Sequence, residues 1–300
     1  MKGFRMVVVF TATLFLLLPG GASAAEVEIP PWSTALEGAL VHWPTPFVAM
    51  YKKSGAVLAF VAGEHVFTPK NSTVTSIAAA FSASTPTFVI LEGFPTAMGE
   101  NPAPLVNEAQ KRGTPSADGY SNSEAMYAAS LALTHHVPFV GGEPTYGEQI
   151  DALARKGYDL KDVTFAILLR SLGQTIRSGE ISGPRDAGFG GTFERLSNGV
   201  AHTLGNQPMA YADFSSRYMA MFGVDIGDDP KISERSDPGT STLAAAILQA
   251  DMTSRDEHLL ATIEKALSSK KRVLVVYGHA HWTTLSTALQ GELGKPKIKS

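Results

Sequence analysis

The feature that most constrains this chain is a set of four short apolar runs, at 56–62, 88–91, 137–140 and 273–277, each closed by glycine or a glycine-containing turn. They are rich in Val, Ile, Leu and Phe without clear alternation, which is how strands buried on both faces read. Helical patterns separate them. One covers 104–112, and a stronger one covers 123–134, with Ser123 placed as its cap. The clearest runs from 255 to about 268. There Ser254 and Glu257 have the S-x-x-E spacing of a capping box, and Leu259, Leu260, Ile263 and Leu267 recur on one face. Strands alternating with helices imply an α/β fold with a mostly parallel central sheet flanked by helices. The middle differs: it reads as helices over 146–156, 163–178, 193–204 and 215–222, with loops at 182–191 and 227–240. The expected organisation is a single α/β domain over 25–300 with a helical cap at about 145–250. A separate all-α domain is the competing arrangement.

The first 24 residues stand apart. Lys2 and Arg5 make a short positive start, and an almost unbroken apolar stretch spans 6–18. Pro19-Gly20-Gly21 breaks it, and Ala22-Ser23-Ala24 supplies the small-x-small pattern that a signal peptidase reads. The stretch is shorter than the roughly 20 apolar residues of a transmembrane helix. Residues 1–24 are therefore read as a cleaved signal peptide, with an uncleaved anchor as the alternative. No later segment is long and apolar enough to span a bilayer, so the expected location is periplasmic or extracellular, with no membrane contact after cleavage. Without Lys2 and Arg5 the chain holds 23 basic and 28 acidic residues, a formal charge of −5. That balance supplies no electrostatic ground for a nucleic-acid partner or an anionic membrane surface. Cysteine is absent, which excludes a cysteine nucleophile, a thiolate metal site and a haem thiolate. An exported chain without disulfides has to be held by its core.

The residues just beyond each strand point to chemistry. The first run enters Ala62-Gly63-Glu64-His65, the second Leu91-Glu92-Gly93, the third Gly141-Gly142-Glu143-Pro144 and the last Gly278-His279-Ala280-His281. Each sets a His or Glu beyond the carboxyl end of a strand, where parallel sheets hold their ligand crevice. One such His is ordinarily a loop residue bonded to backbone. Four coincidences imply that His65, Glu92, Glu143 and His281 converge. Imidazoles with carboxylates suit Zn²⁺ or Mn²⁺, which would polarise a carbonyl and acidify a bound water. Without a metal, a His serves as general base while a carboxylate holds its tautomer. The residues leave both routes open.

Arg255 falls in the expected first turn of the 255–268 helix. There it can hold a substrate carboxylate, stabilise an oxyanion, or simply pair with Asp256 or another acidic neighbour. His279 either orients His281 or points at the sheet. No H-E-x-x-H, EF-hand loop or G-x-S-x-G elbow occurs, which argues against a serine hydrolase. The glycine-rich 182–191 segment, the Met and aromatic residues of 209–221 and the His135-His136 pair read as loop, helix core and helix terminus.

The order of these motifs resembles the superfamily of TraB pheromone-shutdown proteins, Tiki metalloproteases, erythromycin esterases and the haem-binding ChaN. The stretch from Ser254-Arg255-Asp256-Glu257-His258 to Val275-Val276-Tyr277-Gly278-His279-Ala280-His281 is similar to its carboxyl-terminal signature, and Leu91-Glu92-Gly93 to its glutamate motif. The likeness covers 56–95 and 251–290 and hardly touches the helical middle. It implies two half-sites and, in the Tiki branch, metal-dependent hydrolysis. By it His65, Glu92 and His281 would be ligands or the catalytic base, and Arg255 a substrate or transition-state contact; Glu143 transfers less directly. Ala62 stands where the family usually carries glycine.

The expected protein is an exported, metal-dependent hydrolase, with Mn²⁺ or Zn²⁺, that cleaves an amide or ester of a small-molecule or peptide substrate using an activated water. The alternative is an exported binder of haem or another iron compound, and a third is an inactive interaction domain. Substrate identity and oligomeric state are not written in the sequence. Expressed in an exporting host, the chain is expected to begin at or near Ala25 when its amino terminus is read by mass spectrometry; recovery with Met1 intact would overturn cleavage.

Overall fold

A computed structural model of the chain describes residues 29–64, 72–112, 123–237, 240–269 and 272–300. The expected signal peptide at 1–24 and His65 lie outside the described residues. In chain order the elements are α1 (Thr34–Leu40), β1 (Phe47–Lys53), β2 (Ala56–Gly63), α2 (Ser72–Ser84), β3 (Phe88–Pro95), α3 (Ala103–Arg112), α4 (Glu124–Thr134) and β4 (Phe139–Glu143). Next come α5 (Tyr146–Arg155), α6 (Leu160–Arg177), α7 (Phe189–Leu204), α8 (Tyr211–Phe222), α9 (Leu243–Ser268), β5 (Arg272–Gly278), α10 (His279–Leu293) and β6 (Lys297–Lys299). Single 3-10 turns occur at Thr96–Met98, Ile226–Asp228 and Ile232–Glu234.

All four apolar runs fall on strands, the third only from Phe139 onward, and they lack alternation because both of their faces are covered. On β5, Leu274 and Val276 face one apolar cluster while Val273, Val275 and Tyr277 face the other. The same division holds on β2, with Ala59 and Val61 against Leu58, Phe60 and Ala62. Residues of α2 and α4 (Val74, Ile77, Phe81 and Ala128 among them) fill the first cluster. The second takes Leu259 and Ile263 of α9 with Trp282, Leu285 and Leu289 of α10. Trp282 is fixed by an edge contact with Phe47 at 5.0 Å and donates from Nε1 to the Tyr51 hydroxyl at 3.2 Å.

The sheet has the order β4-β3-β5-β2-β1-β6. β4, β3, β5 and β2 run parallel, and β1 is antiparallel to both β2 and β6. This is the mostly parallel, helix-flanked α/β sheet that the alternation of patterns implies. β1 and β6 add an antiparallel margin that the apolar runs do not announce. β5 is the last of the parallel strands in the chain and sits between β3 and β2, with Gly63 level with Gly278 and Leu91 level with Val276. The chain leaves β2 and β3 toward the face covered by α2 and α4, but leaves β5 toward the face covered by α10. That reversal marks a topological switch point, where a crevice opens beyond the strand ends.

The helical middle keeps close to its pattern. Helices α5 to α8 and the first half of α9 surround a third apolar cluster that includes Leu153, Phe165, Leu169, Phe214, Tyr218 and Ile247. α7 starts at Phe189, so the 182–191 segment is a shorter loop than expected. Ser254 is not a cap. α9 begins well before it, capped by Thr242, whose side chain accepts from the Ala245 amide, and runs unbroken for 26 residues. Arg255 therefore lies in mid-helix. The S-x-x-E spacing also fits a helix interior, and the alanine-rich 243–250 stretch propagates the helix past it. A true capping box occurs at Thr145 and Glu148, at the start of α5.

Glycine at 141 and 142 is a steric demand. A Cβ on Gly141 would lie 1.9 Å from the Phe94 carbonyl oxygen, and one on Gly142 would lie 2.4 Å from the Tyr277 hydroxyl. β3 bulges toward β4 here, with the register shifting between Leu91 and Pro95. Gly141→Ala is expected to cost roughly 1–3 kcal/mol or more, read as a lower urea midpoint. Gly199→Ala, exposed on α7 with open space beyond it, is expected to be neutral or to gain up to about 1 kcal/mol. Equal midpoints would contradict this packing.

Candidate active site

The ends of β2, β3, β4 and β5 bring Glu64, Glu92, Glu143 and His281 to one side of the sheet, and α9 lays Arg255 and Asp256 across them. β3 continues through Glu92 instead of ending before it, and Glu143 is the last residue of β4. His281 is the third residue of α10, which starts directly after Gly278. Glu92, Glu143, Arg255 and His281 thus converge as their spacing implied, while His65 lies outside the described residues.

Arg255 is the hub. Its Nε and Nη2 donate to the two oxygens of Glu143 at 2.7 Å each, a bidentate pair, and Nη2 also reaches Glu92 Oε1 at 3.2 Å. The second Glu92 oxygen accepts from the Gly278 amide at 2.7 Å. Burial works to raise the Glu143 carboxyl, but the charge and hydrogen bonds of Arg255 outweigh it and hold it below the usual carboxylate range. Burial likewise opposes the charge on Arg255, and Glu143, Glu92 and Asp251 more than compensate. Tyr277 closes the floor. Its buried hydroxyl lies beside Glu143 without a well-formed hydrogen bond, and burial together with the charges of Glu143 and Glu92 pushes the phenol well above its usual value.

His281 is buried between two carboxylates. Its Nδ1 is 2.5 Å from Asp256 Oδ1, and its Nε2 is 3.4 Å from Glu92 Oε1. The Tyr277 ring meets it edge-on at 5.2 Å. Asp256 is fully buried, and its other oxygen accepts from the Thr284 hydroxyl at 2.6 Å. Burial pulls the imidazole down, but the charge of Asp256 and the bonds to Asp256 and Glu92 prevail over it and over Arg255, raising the pKa to about 10. The balance favours the charged ring, with Nδ1 against Asp256 and Nε2 at ion-pair distance from Glu92.

Asp256 is the residue that reading the sequence missed as a partner of His281. It was visible only as part of an Arg-Asp motif, because the contact depends on α10 packing against α9. His279 does not orient His281. Its Nε2 is 3.1 Å from Glu37 Oε1 on α1. His135 ends α4 with its ring 5.0 Å from that of Phe81, a structural role.

Among the described residues no group of three or more His, Asp or Glu is placed to hold a metal ion. The donor chemistry explains this. Glu143 has both oxygens on a guanidinium, Arg255 sets a permanent positive charge beside Glu92, and Asp256 favours a proton on His281 where a ligand nitrogen needs a lone pair. Among the described residues these donors, engaged with one another, do not fit a divalent cation; His65, the further expected ligand, lies outside them. The same donors do fit proton transfer. A cleft of about 600 Å³ opens over the site, lined by Glu64, Glu92, Arg255, His279 and His281 from the sheet side and by Arg170, Gln174 and Arg177 of α6.

No family model matches the chain, and neither a curated protein nor a solved structure is significantly similar to it.

The raised pKa of His281 has a thermodynamic consequence. The group binds its proton more tightly folded than unfolded, so its stabilisation is complete below the unfolded value of 6.5 and is lost as pH rises through about 10. The groups facing it are Asp256 and Arg255 of α9, Glu92 of β3, Glu143 of β4 and the Tyr277 ring of β5. Titration monitored by NMR is expected to show the His281 ring still protonated at pH 8, and Asp256→Asn is expected to move its midpoint down. A midpoint near 6.5 in the unaltered chain would refute the arrangement.

Proposed function

We propose that the chain is an exported hydrolase that cleaves an ester or amide of a polar small molecule or peptide, using a water and the Glu92–His281 pair. The observation that carries this reading is a buried imidazole, backed by Asp256, whose outer nitrogen stands 3.4 Å from a second carboxylate at the floor of the cleft. In this scheme the substrate carbonyl enters between Glu92 and His281, and the long contact between them yields to it. Water attacks the carbonyl carbon, and its proton passes to Glu92. The carbonyl electron pair moves to oxygen, where Arg255 is placed to stabilise the charge. Collapse breaks the carbon–oxygen or carbon–nitrogen bond, and the leaving atom takes the Nε2 proton of His281. Passage of a proton from Glu92 to His281 then restores both groups.

The two transfers assist one another. Once Glu92 is neutral, His281 loses one of the two carboxylates its ring nitrogens face and becomes a stronger acid at the moment it must donate. Asp256 acts as a positioning residue, fixing the ring and holding its charge. The motif order shared with the TraB, Tiki, erythromycin esterase and ChaN superfamily supports the same class of activity. A haem-binding role is less favoured, because His281 is held between Asp256 and Glu92 and the cleft is lined by carboxylates and guanidinium groups.

The test is turnover of a panel of nitrophenyl esters and nitroanilides by the purified chain. His281→Ala and Glu92→Gln are each expected to lower kcat/KM by roughly 10²–10⁴-fold, and the activity is expected to survive EDTA. Activity removed by EDTA and restored by Zn²⁺ or Mn²⁺ would favour the metal-dependent route instead. Undiminished turnover in both variants would sink the proposal.

A further inference from the structure

Behind Arg255 lies a second cavity of about 170 Å³, lined by Gly93, Pro95, Glu143, Pro144, Tyr146, Gln149, Arg170, Asp251 and Arg255. It shares two residues with the large cleft, Arg170 and Arg255. Their side chains form the partition between the cavities. Arg255 gives Nε and Nη2 to Glu143 and Glu92, which leaves Nη1 for the developing oxyanion. Arg170 is less engaged. Its one side-chain hydrogen bond among the described residues runs from Nη1 to Asp251 Oδ2 at 3.1 Å, and a third of its side chain is exposed (32%). A guanidinium carries five N–H donors, so most of these have no protein partner among the described residues, and the residue lines both cavities.

The surrounding charges decide what those donors can take. Asp251, which anchors Arg170 through Oδ2, is only 2% exposed although it borders the smaller cavity, and its Oδ1 has no hydrogen-bond partner among the described residues, so its charge is left for Arg170 to balance. Glu143 has both oxygens on Arg255, Glu64 accepts from the Thr45 hydroxyl at 2.7 Å, and Asp237 faces Arg177. The acids around the cleft are thus engaged or buried, while one guanidinium is presented from a rigid helix. Gln174 and Arg177 continue the same face of α6 along the cleft, four and seven residues on from Arg170.

We propose that Arg170 recognises a carboxylate on the substrate, so that the preferred substrates are esters or amides whose scissile group lies a short chain away from a free acid. The inference rests on the hydrolase reading above and names its substrate class. The planar fork of Arg170 pairs with the carboxylate, the partition holds it beside Glu92 and His281, and the smaller cavity admits only a group of a few heavy atoms.

The experiment has two arms. In the first, kcat/KM is compared for the p-nitrophenyl monoester of succinic acid and for p-nitrophenyl butyrate, which has the same chain length without the acid. The unaltered chain is expected to favour the monoester, and Arg170→Gln to lower the monoester-to-butyrate ratio by roughly 10- to 100-fold, with Arg170→Lys recovering part of it. Because Arg170→Gln strands the Asp251 charge, the double variant Arg170→Gln/Asp251→Asn is measured in parallel. In the second arm, succinate is titrated calorimetrically into the unaltered chain and into each variant, with butylamine as the oppositely charged probe. Succinate binding that both Arg170→Gln forms abolish supports the subsite even if neither ester turns over, in which case the hydrolase reading alone fails. A preference for butyrate, butylamine binding in place of succinate, or an equal fall for both esters in the folded variants overturns it.

Discussion

One guanidinium holds the end of the sheet together. Arg255 joins a helix to two strands, binding Glu143 at 2.7 Å and Glu92 at 3.2 Å across sequence separations of 112 and 163 residues. Two carboxylates this close would repel and one would tend to protonate. Arg255 between them offsets that repulsion and holds Glu143 ionised, and Glu92 lies against His281 on its other side. A buried charge deprived of its partner costs about 3–5 kcal/mol, so the arrangement stands or falls as a unit. The same contact draws the ends of β3 and β4 together, and the close approach leaves no room for a side chain at Gly141 or Gly142.

The floor of the cleft is thus a chain of alternating charges: Glu143, Arg255, Glu92, His281 and Asp256. Each member has neighbours of opposite sign, and the outer ends are finished by neutral groups, Tyr277 beside Glu143 and Thr284 beside Asp256. An alternation of this kind lets five ionisable groups share an enclosed space. It also means that a proton moved at one member is felt by the next. Function and stability draw on the same contacts here, because the buried charges compensate one another.

How much of this was legible depended on whether a feature was local. Strands buried on both faces announce themselves as unbroken apolar runs, and the residues just after them are read off directly, so Glu92, Glu143 and His281 could be found. Ser123 could be found as a cap for the same reason. β1 escaped notice because its seven residues end in two lysines, and β6 because it has only three residues. The true start of α9 was hidden because S-x-x-E has the same spacing inside a helix as at its beginning. The pairing of Asp256 with His281 is a product of α10 lying against α9, across 25 residues of chain, and no local pattern encodes it. His279, two residues away, faces α1 instead.

The helical layer over the cleft is joined to the sheet in two stiff ways. On one side Pro144 and Thr145 alone separate β4 from α5. On the other, α9 passes from the layer to the sheet without a break, about 39 Å of continuous helix. Neither connection offers a hinge, so the layer cannot swing aside as a lid unless a turn of α9 unwinds. Molecules must therefore come and go through the standing mouth of the cleft, and its width sets an upper limit on the girth of what can be processed.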